Sequence, residues 1–583
     1  MTTSAATRQP LGAGALIVVL AVLGMAATAA VVLGGQPPAE RADSAPVRWP
    51  VADVHHLPDG LRRLGPAVAW GGALVLVGLW LVILASARRG RLGTRSVVTI
   101  AVAWATPLAL GPPVLSADVY NYLGQGEMLR RGLDPYRMGI SALGGVPVVA
   151  AVDPRWRDVS SPYGPLSLAL SRLAAELGGG SLVRAVELLR LVAVVGVVVA
   201  VVACAYRARA SDRAMVVAVV ALNPVMLLHL VGGAHLDGLG VGLIAAGLAF
   251  TAAGRPLLGL ALATAAAAVK APAAIVVATL GVLVVQGDRR GVVHRVLAVV
   301  GVVAVVGWGC ALLVPHGFGW LHSLDTPGRG ITRAAPTSFV AAGLSALFGL
   351  PATGTREVCR LLGLAMIAVA VGYLIATARR RDAGRTAGTG LLVAALLGPV
   401  SYVWYLAAPV AALAPVCRGR ERAALVGLCA AAALTSLPSL STPAFPWPPR
   451  PGPAGTSSPA PVIPEMARMS GSSRQAATPG TATPESLTRP PRVTATVAAS
   501  RPSRSPGTVR STAVTACRQP APALLRQARA RAPSPSRVRL NGLDTSESAA
   551  ESRCRLSAVP LGPPCSTPST NRPRWVRTSG GRV

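Results

Sequence analysis

The sequence predicts an all-α protein that crosses a membrane many times, and three observations lead to this fold class. Of the 583 residues, 52% are hydrophobic and only 14% are charged, with a mean hydropathy of +0.52. Apolar stretches recur from Leu11 to Leu440, and short arginine clusters separate them. A bilayer core takes about 20 mostly apolar residues per helix, so we expect a bundle of about 11–13 membrane segments, including broken half-helices.

Seven apolar stretches have the length of one spanning helix. The first has no clear small-x-small cleavage site and further spans follow it, so we expect an anchor rather than a removed signal peptide. The stretches are 12–34, 66–86, 96–115, 185–205, 292–314, 358–378 and 421–440.

Arginine clusters set the expected sidedness, because cytoplasmic loops carry an excess of basic residues. They predict that loops 116–160 and 315–337 lie on the outer side. The formal net charge of +33 is spread over these loops and the tail, so we expect no nucleic-acid partner. The clusters are Arg88 to Arg95, Arg207 to Arg213, Arg289 to Arg295, Arg379 to Arg385 and Arg418 to Arg422.

Two apolar stretches are too long for one span and too short for two. Residues 256–286 contain Lys270-Ala271-Pro272, and residues 388–416 contain Gly398-Pro399. Each is predicted to form two half-depth segments joined by a break, an arrangement that membranes tolerate where the freed backbone lines a protein cavity. The helices 213–231 and 236–253 are expected to turn between them at the outer face.

Asp118 follows the predicted helix 96–115, and burying a carboxylate at this boundary is costly unless it is hydrated, paired or used. Aromatic, amide and acidic side chains follow it, which is the mixture that binds sugars. A solvated loop carboxylate and an interfacial aromatic belt remain the alternatives. Periodicity predicts a helix from about Val119 to Arg131 in either case. The candidate binding residues here are Tyr120, Asp134 and Tyr136.

Lys270 is the only lysine in the chain, and it lies inside an apolar run at a proline break. An intramembrane cation costs roughly 2.5–3.5 kcal/mol on insertion scales, so we expect an anion beside it. A lipid phosphate is the natural candidate, and snorkelling to the interface is the alternative.

Arg190, His235 and Asp237 also lie inside or at the ends of apolar runs, and they are expected to join Lys270 in an outer cavity. Each one alone would more often fix topology or packing. The eight cysteines form no CxxC pair, so the sequence predicts neither a zinc site nor a disulfide framework, and we expect no metal and no cofactor.

The character of the sequence changes near Pro443 to proline, serine, threonine and arginine without periodicity. Such a segment buries too little apolar surface to fold. We therefore expect a multi-span domain over 1–442 and a disordered tail over 443–583, with translation out of frame as a hypothesis for the tail.

Six motifs in order give the chain a family resemblance. They are SADVYNYLGQGEML with GLDPY, SPYGPL, NPVMLLHLVGGAHLDGL, AVKAP, WLHSLDTPG and GPVSYVWYLAAPV. The first 440 residues resemble actinobacterial polyprenol-phosphate-mannose-dependent α-(1→6)-mannosyltransferases of the MptB type, which have the multi-span GT-C fold.

The resemblance implies an outward-facing site in the plasma membrane, a polyprenyl-phosphate-mannose donor and a mannan or lipomannan acceptor. It assigns the general base to Asp118 and substrate contacts to Trp404 and Tyr405. A transporter or flippase of a lipid-linked sugar is the alternative class, because broken helices with polar centres also build transport sites. A related enzyme that uses lipid-linked arabinofuranose is another alternative.

Overall fold

A computed structural model of the chain describes residues 13–37, 47–54, 57–286, 291–325 and 335–435. These residues form a helical bundle, and none of them lies in a strand. The predicted tail over 443–583, Arg289 and Arg290, and part of the second outer loop lie outside the described residues.

Seventeen α-helices follow one another along the described residues. They are α1 (Ala13–Gly34), α2 (Asp59–Arg88), α3 (Thr94–Leu110), α4 (Asp118–Arg130), α5 (Pro147–Ala151), α6 (Pro165–Gly178), α7 (Leu182–Arg207), α8 (Arg213–Ala221), α9 (Asp237–Ala252), α10 (Pro256–Val269), α11 (Ala274–Val285), α12 (Val292–Ala311), α13 (Pro336–Phe348), α14 (Ala352–Ala376), α15 (Ala383–Leu397), α16 (Ala407–Leu413) and α17 (Gly419–Thr435).

Five of these helices, α1, α2, α7, α12 and α14, are long and apolar enough to cross a bilayer. Helix α8 and the π-helical turn Met226–Gly232 together form a sixth candidate span, bent by 55°. Shorter apolar helices fill the bundle between them. The predicted all-α, polytopic membrane fold is therefore confirmed.

Two predicted helices are interrupted by proline. Helix α3 ends at Leu110 rather than at 115, because Gly111 precedes Pro112 and Pro113. The prediction of a single helix over 213–231 is wrong as well, because Pro224 interrupts it. Helix α8 ends at Ala221, and the Asn223 side chain accepts a hydrogen bond from Val225 N at 3.0 Å before the π-helical turn begins.

Both predicted half-helix breaks are confirmed. Helix α10 ends at Val269, Lys270 is extended, and α11 begins at Ala274. Helix α15 ends at Leu397, and a 3₁₀ turn over Val403–Leu406 leads into α16. The predicted helix after Asp118 is confirmed too, as α4.

Three of the arginine-rich loops meet at one end of the bundle. Arg207 Nη2 lies 3.4 Å from Asp382 Oδ1, and Arg422 Nη1 donates to Asp212 Oδ1 at 2.7 Å. Arg385 pairs with Glu421 across the same end. Loops that were predicted to share one side of the membrane are therefore joined by ion pairs.

Helices α7 and α9 pack backbone to backbone through glycine. A Cβ added at Gly196 would lie 2.2 Å from the carbonyl oxygen of Gly238, and one at Gly242 would lie 2.4 Å from that of Gly196. No real Cβ fits at such distances, so this crossing requires glycine. The close approach fixes where α9 begins, and Asp237 is its first residue.

We expect Gly196→Leu to lower the free energy of unfolding by about 1–3 kcal/mol or more, because the added side chain forces α7 and α9 apart. The matched control is Gly301→Leu on α12, where a Cβ would meet nothing within 4 Å. The measurement is the thermal unfolding midpoint of each purified variant in one detergent. Equal midpoints for the two variants would contradict the close-packing interpretation.

Candidate active site

The loop before Asp118 is fixed by backbone hydrogen bonds to two other parts of the bundle. Val114 N donates to Gly232 O at 3.2 Å, and Leu115 N donates to Gly35 O at 2.8 Å. Leu115 has a φ of 62°, a left-handed conformation that is uncommon for a non-glycine residue. Ala234, one residue before His235, has a φ of 52°. Strained backbone therefore precedes both Asp118 and His235, a pattern found at functional sites.

Asp118 faces His235 and Tyr122. Asp118 Oδ2 lies 3.8 Å from His235 Nδ1, and the Tyr122 hydroxyl lies 3.1 Å from the same nitrogen. Burial raises the pKa of Tyr122 well above its usual value, so the phenol stays protonated and can donate to Nδ1. The Asp118 side chain keeps 16% of its surface exposed, which leaves its carboxylate within reach of a ligand.

Aromatic rings form a wall beside this carboxylate. The His235 ring stacks on Trp404 with centroids 4.2 Å apart, and Trp404 stacks on Tyr402 at 4.4 Å. Tyr405 meets Trp404 edge to face at 6.1 Å. His235 and Trp404 are buried in this wall, whereas Tyr402 and Tyr405 are partly exposed, and such rings offer the apolar faces and polar edges that suit the CH faces and hydroxyls of a sugar.

Lys270 lies at the same wall and is paired. Its Nζ donates to Asp237 Oδ1 at 2.8 Å and lies 4.1 Å from the centre of the Tyr405 ring. The centre of the Tyr163 ring lies 5.5 Å from the same nitrogen. An ammonium has three N–H donors, so Asp237 engages one of them and a bound anion can accept another.

The break after α10 explains why Tyr163 reaches Lys270. Gly164 N donates to Val269 O at 3.1 Å. A Cβ at Gly164 would lie 2.1 Å from Ala268 O, so only glycine allows this contact. The segment before α6 therefore packs on the broken end of α10.

Burial raises the pKa of the Asp118 carboxyl from 3.8 to about 6. Lys270 opposes the rise by favouring the ionised form, and the negative charge of Asp237 adds to it. Asp118 is thus a carboxylate near neutral pH with a higher proton affinity than a solvated aspartate, which suits a general base.

Sequence reasoning missed four residues of this site. Tyr163 and Tyr402 lie within the quoted motifs SPYGPL and GPVSYVWYLAAPV but were not singled out. Arg155 interacts electrostatically with Asp118 and Tyr402, and its Nη2 is paired with Asp153 Oδ2 at 2.6 Å. Arg155 and Asp153 carried no signal of their own in the sequence, because charged residues are common in the loops between membrane segments.

Other predicted site residues lie elsewhere. Arg190 is buried with its guanidinium 5.6 Å from the Trp49 ring, donates to Ala109 O at 3.1 Å and pairs with Glu187. Tyr120 is buried in the same hydrophobic cluster as Trp49. These contacts join α3, α4 and α7, and none of them is with Asp118 or Lys270.

Asp134 and Tyr136 lie beyond the C-terminal end of α4, where Asp134 Oδ1 accepts a hydrogen bond from Tyr136 N at 2.9 Å. They line a separate cavity. Among the described residues, no group of three His, Cys, Asp or Glu side chains has the arrangement of a metal site. The structure thus brings together Asp118, His235, Asp237, Lys270, Trp404 and Tyr405 of the predicted set.

Models of one protein family match both parts of the chain. The model described as alpha-(1→6)-mannopyranosyltransferase, N-terminal domain, matches residues 21–286, and the MptB C-terminal domain matches residues 334–451. The first segment contains Asp118, His235 and Lys270, and the second contains Trp404 and Tyr405.

Curated relatives agree with these matches. Alpha-(1→6)-mannopyranosyltransferase A of Mycobacterium tuberculosis is 31% identical over 388 residues, which cover 63% of this chain and 74% of the relative. A probable alpha-(1→6)-mannopyranosyltransferase of Mycolicibacterium smegmatis is 30% identical over 403 residues, covering 60% and 70%. Alpha-(1→6)-mannopyranosyltransferase A of Corynebacterium glutamicum is 33% identical over 227 residues, covering 37% and 46%. No solved structure matches the chain.

We expect Lys270→Met to lower the free energy of unfolding by about 1–3 kcal/mol, because it leaves Asp237 buried without its cation. Adding Asp237→Asn should recover part of the loss, since a neutral amide needs no counter-charge. The control is Arg360→Met, which breaks a more exposed pair with Glu357 and should cost about 0–1 kcal/mol. Thermal unfolding of the purified variants measures all three. A double variant less stable than Lys270→Met would contradict the pairing argument.

Proposed function

This chain belongs to the alpha-(1→6)-mannopyranosyltransferase family and is therefore a glycosyltransferase, and we propose that it moves mannose from polyprenyl-phosphate-mannose to a mannan or lipomannan acceptor. The observation that carries the proposal is the meeting of a partly exposed carboxylate, Asp118, with a paired ammonium, Lys270, at one aromatic wall. Transfer from a lipid phosphate needs a base for the acceptor and a cation for the leaving group.

Asp118 is the proposed general base. Its carboxylate accepts the proton of the attacking acceptor hydroxyl as that oxygen bonds to the anomeric carbon of the donor. His235, held by the Trp404 ring, and Tyr122 limit the positions open to the carboxylate. Both neighbours are positioning residues in this proposal.

Lys270 is the proposed partner of the leaving phosphate. As the bond from the anomeric carbon to the phosphate oxygen breaks, its electron pair goes to that oxygen, and an ammonium nearby stabilises the developing charge. Asp237 and the Tyr405 face hold the ammonium in place without removing its charge. One displacement of this kind inverts a β-linked donor and gives an α-linked product.

Arg190 is not proposed as a second cation for the phosphate. Its contacts with Ala109 O, Trp49 and Glu187 support packing near the end of α3 instead. The partly exposed rings of Tyr402 and Tyr405, which pack on the buried Trp404, are the proposed platform for the transferred or accepting sugar.

We propose that the site faces the outer side of the plasma membrane. The three arginine-rich loops joined by ion pairs support a cytoplasmic end of the bundle. Helix α7 ends at Arg207 in one of those loops, whereas its other end, at Leu182, packs in one hydrophobic cluster with Tyr122 of the helix that begins at Asp118.

The proposal is tested with purified protein in lipid vesicles that receive radiolabelled polyprenyl-phosphate-mannose and an α-(1→6)-mannobioside. We expect a longer mannoside, cleavable by an α-(1→6)-specific mannosidase. Label that crosses the bilayer on its lipid without reaching the mannoside would indicate a flippase instead. Transfer from lipid-linked arabinofuranose and none from the mannosyl donor would indicate the other donor class.

Asp118→Asn should reduce kcat on the order of 10²–10⁴-fold, because the amide keeps the shape but accepts no proton. In the wild type, kcat/KM should fall below a pH near 6, since protonated Asp118 is no longer a base. Initial rates between pH 4.5 and 8 in the vesicle assay measure both effects. Asp158→Asn, in the same outer segment, is the control and should leave the profile unchanged. Near-normal transfer by Asp118→Asn would place the base elsewhere.

The double variant Lys270→Met with Asp237→Asn should stay folded and lose most of its turnover, because the charge is needed as the glycosidic bond breaks. The single variant Lys270→Arg should keep only part of the wild-type turnover, since a planar guanidinium differs from a compact ammonium. The measurement is kcat at saturating donor, with Asp237→Asn alone as the control. A kcat of the double variant close to that of the control would remove Lys270 from the reaction.

A further inference from the structure

A second cavity, of about 900 Å³, lies beyond the C-terminal end of α4. Its walls come from three parts of the chain: the turn after α4, helix α6, and the segment that follows α12. Sites for small organic ligands commonly measure about 300–1,000 Å³, so this cavity has the size of a binding site.

The lining of the cavity mixes flat apolar faces with polar groups. Phe318 is 44% exposed although its ring meets Trp308 edge to face at 4.9 Å. Arg172 on α6 donates from Nε to Glu176 at 2.7 Å, which leaves the terminal nitrogens of a five-donor guanidinium for a ligand. Asp134, His316 and His322 add acceptors and further donors.

Tyr136 is held rigidly in this wall. Its backbone N donates to Asp134 Oδ1 at 2.9 Å, and its carbonyl oxygen accepts a hydrogen bond from the Ser323 hydroxyl at 3.3 Å. A Cβ at Gly319 would lie 2.8 Å from the Tyr136 ring, so glycine is needed for this packing. Tyr136 is 6% exposed, and its hydroxyl has no hydrogen-bond partner among the described residues. A buried hydroxyl without a partner is costly, and a ligand hydroxyl would satisfy it if the Tyr136 side chain turned toward the cavity.

The cavity is separated from Asp118 by the length of α4. Asp118 is the first residue of this 13-residue helix, and the turn with Asp134 and Tyr136 follows its last residue. At 1.5 Å per residue the helix spans about 18 Å, so a ligand in the cavity is several sugar units from the reacting hydroxyl.

We propose that this cavity binds the non-reacting part of an α-(1→6)-linked oligomannoside acceptor. The inference rests on the proposed function, because the acceptor is the substrate that extends away from Asp118. Aromatic faces, a guanidinium and a carboxylate match the CH faces and hydroxyls of a glycan. The polyprenyl chain of the donor has no group that could use Arg172, Asp134 or the Tyr136 hydroxyl.

The test compares an α-(1→6)-mannobioside with the corresponding mannohexaoside in the full-length protein. For Phe318→Ala and Arg172→Gln we expect KM for the hexaoside to rise about tenfold relative to KM for the bioside, the equivalent of one lost hydrogen bond or ring contact. The matched controls are Phe339→Ala on α13, 67% exposed, and Arg184→Gln on α7, and they should leave this ratio unchanged.

Direct binding of a fluorescent mannohexaoside, measured without donor, separates this inference from the proposed function. Wild-type protein should bind it about tenfold more tightly than Phe318→Ala or Arg172→Gln, whatever donor the enzyme uses. Equal binding by wild type and both variants would overturn the inference, as would an equal KM change for both acceptors. A KM change that follows the length of the polyprenyl chain in the donor would assign the cavity to lipid and also overturn it.

Discussion

The candidate site depends on the interruption of one membrane helix at Lys270. Pro272 cannot continue the backbone hydrogen bonds of α10, so the carbonyl groups of Ala268 and Val269 need other neighbours. Gly164 meets both, through a hydrogen bond to Val269 O and a close approach to Ala268 O. The break thus fixes the position of Lys270, satisfies part of its own backbone and holds the segment around Gly164 beside the site. A continuous helix would provide none of these contacts.

Local anomalies in the sequence predicted the chemical groups of the site. A carboxylate at a membrane boundary and a lysine in an apolar run are costly, and cost was the signal that identified Asp118 and Lys270. The contacts between the site residues could not be derived in this way. The stacking of His235 on Trp404 joins residues that are far apart in sequence, and its geometry depends on how α9 and α16 pack. Arg190 shows the limit of the argument, because a buried cation can satisfy a helix end as well as a ligand.

The sequence did not reveal that Asp134 and Tyr136 lie away from Asp118, in a separate cavity. They share one outer loop with Asp118, so the sequence suggested a single sugar-binding surface. The predicted helix after Asp118 does form, and its rigid length is what separates them from the carboxylate. Polar and aromatic side chains of similar composition therefore lie at two separate places, one at each end of α4. The sequence does not show the direction of α4, so it could not separate the two.

The division of the site between the two matched segments has a consequence for biogenesis. Asp118, His235 and Lys270 are synthesised before Trp404 and Tyr405, because they precede them in the chain. Until then the His235 ring lacks its stacking partner and the lysine lacks the Tyr405 face. A nascent chain paused between the two segments would hold the ionic groups without the aromatic wall. The candidate site is therefore complete only when the second matched segment is folded beside the first.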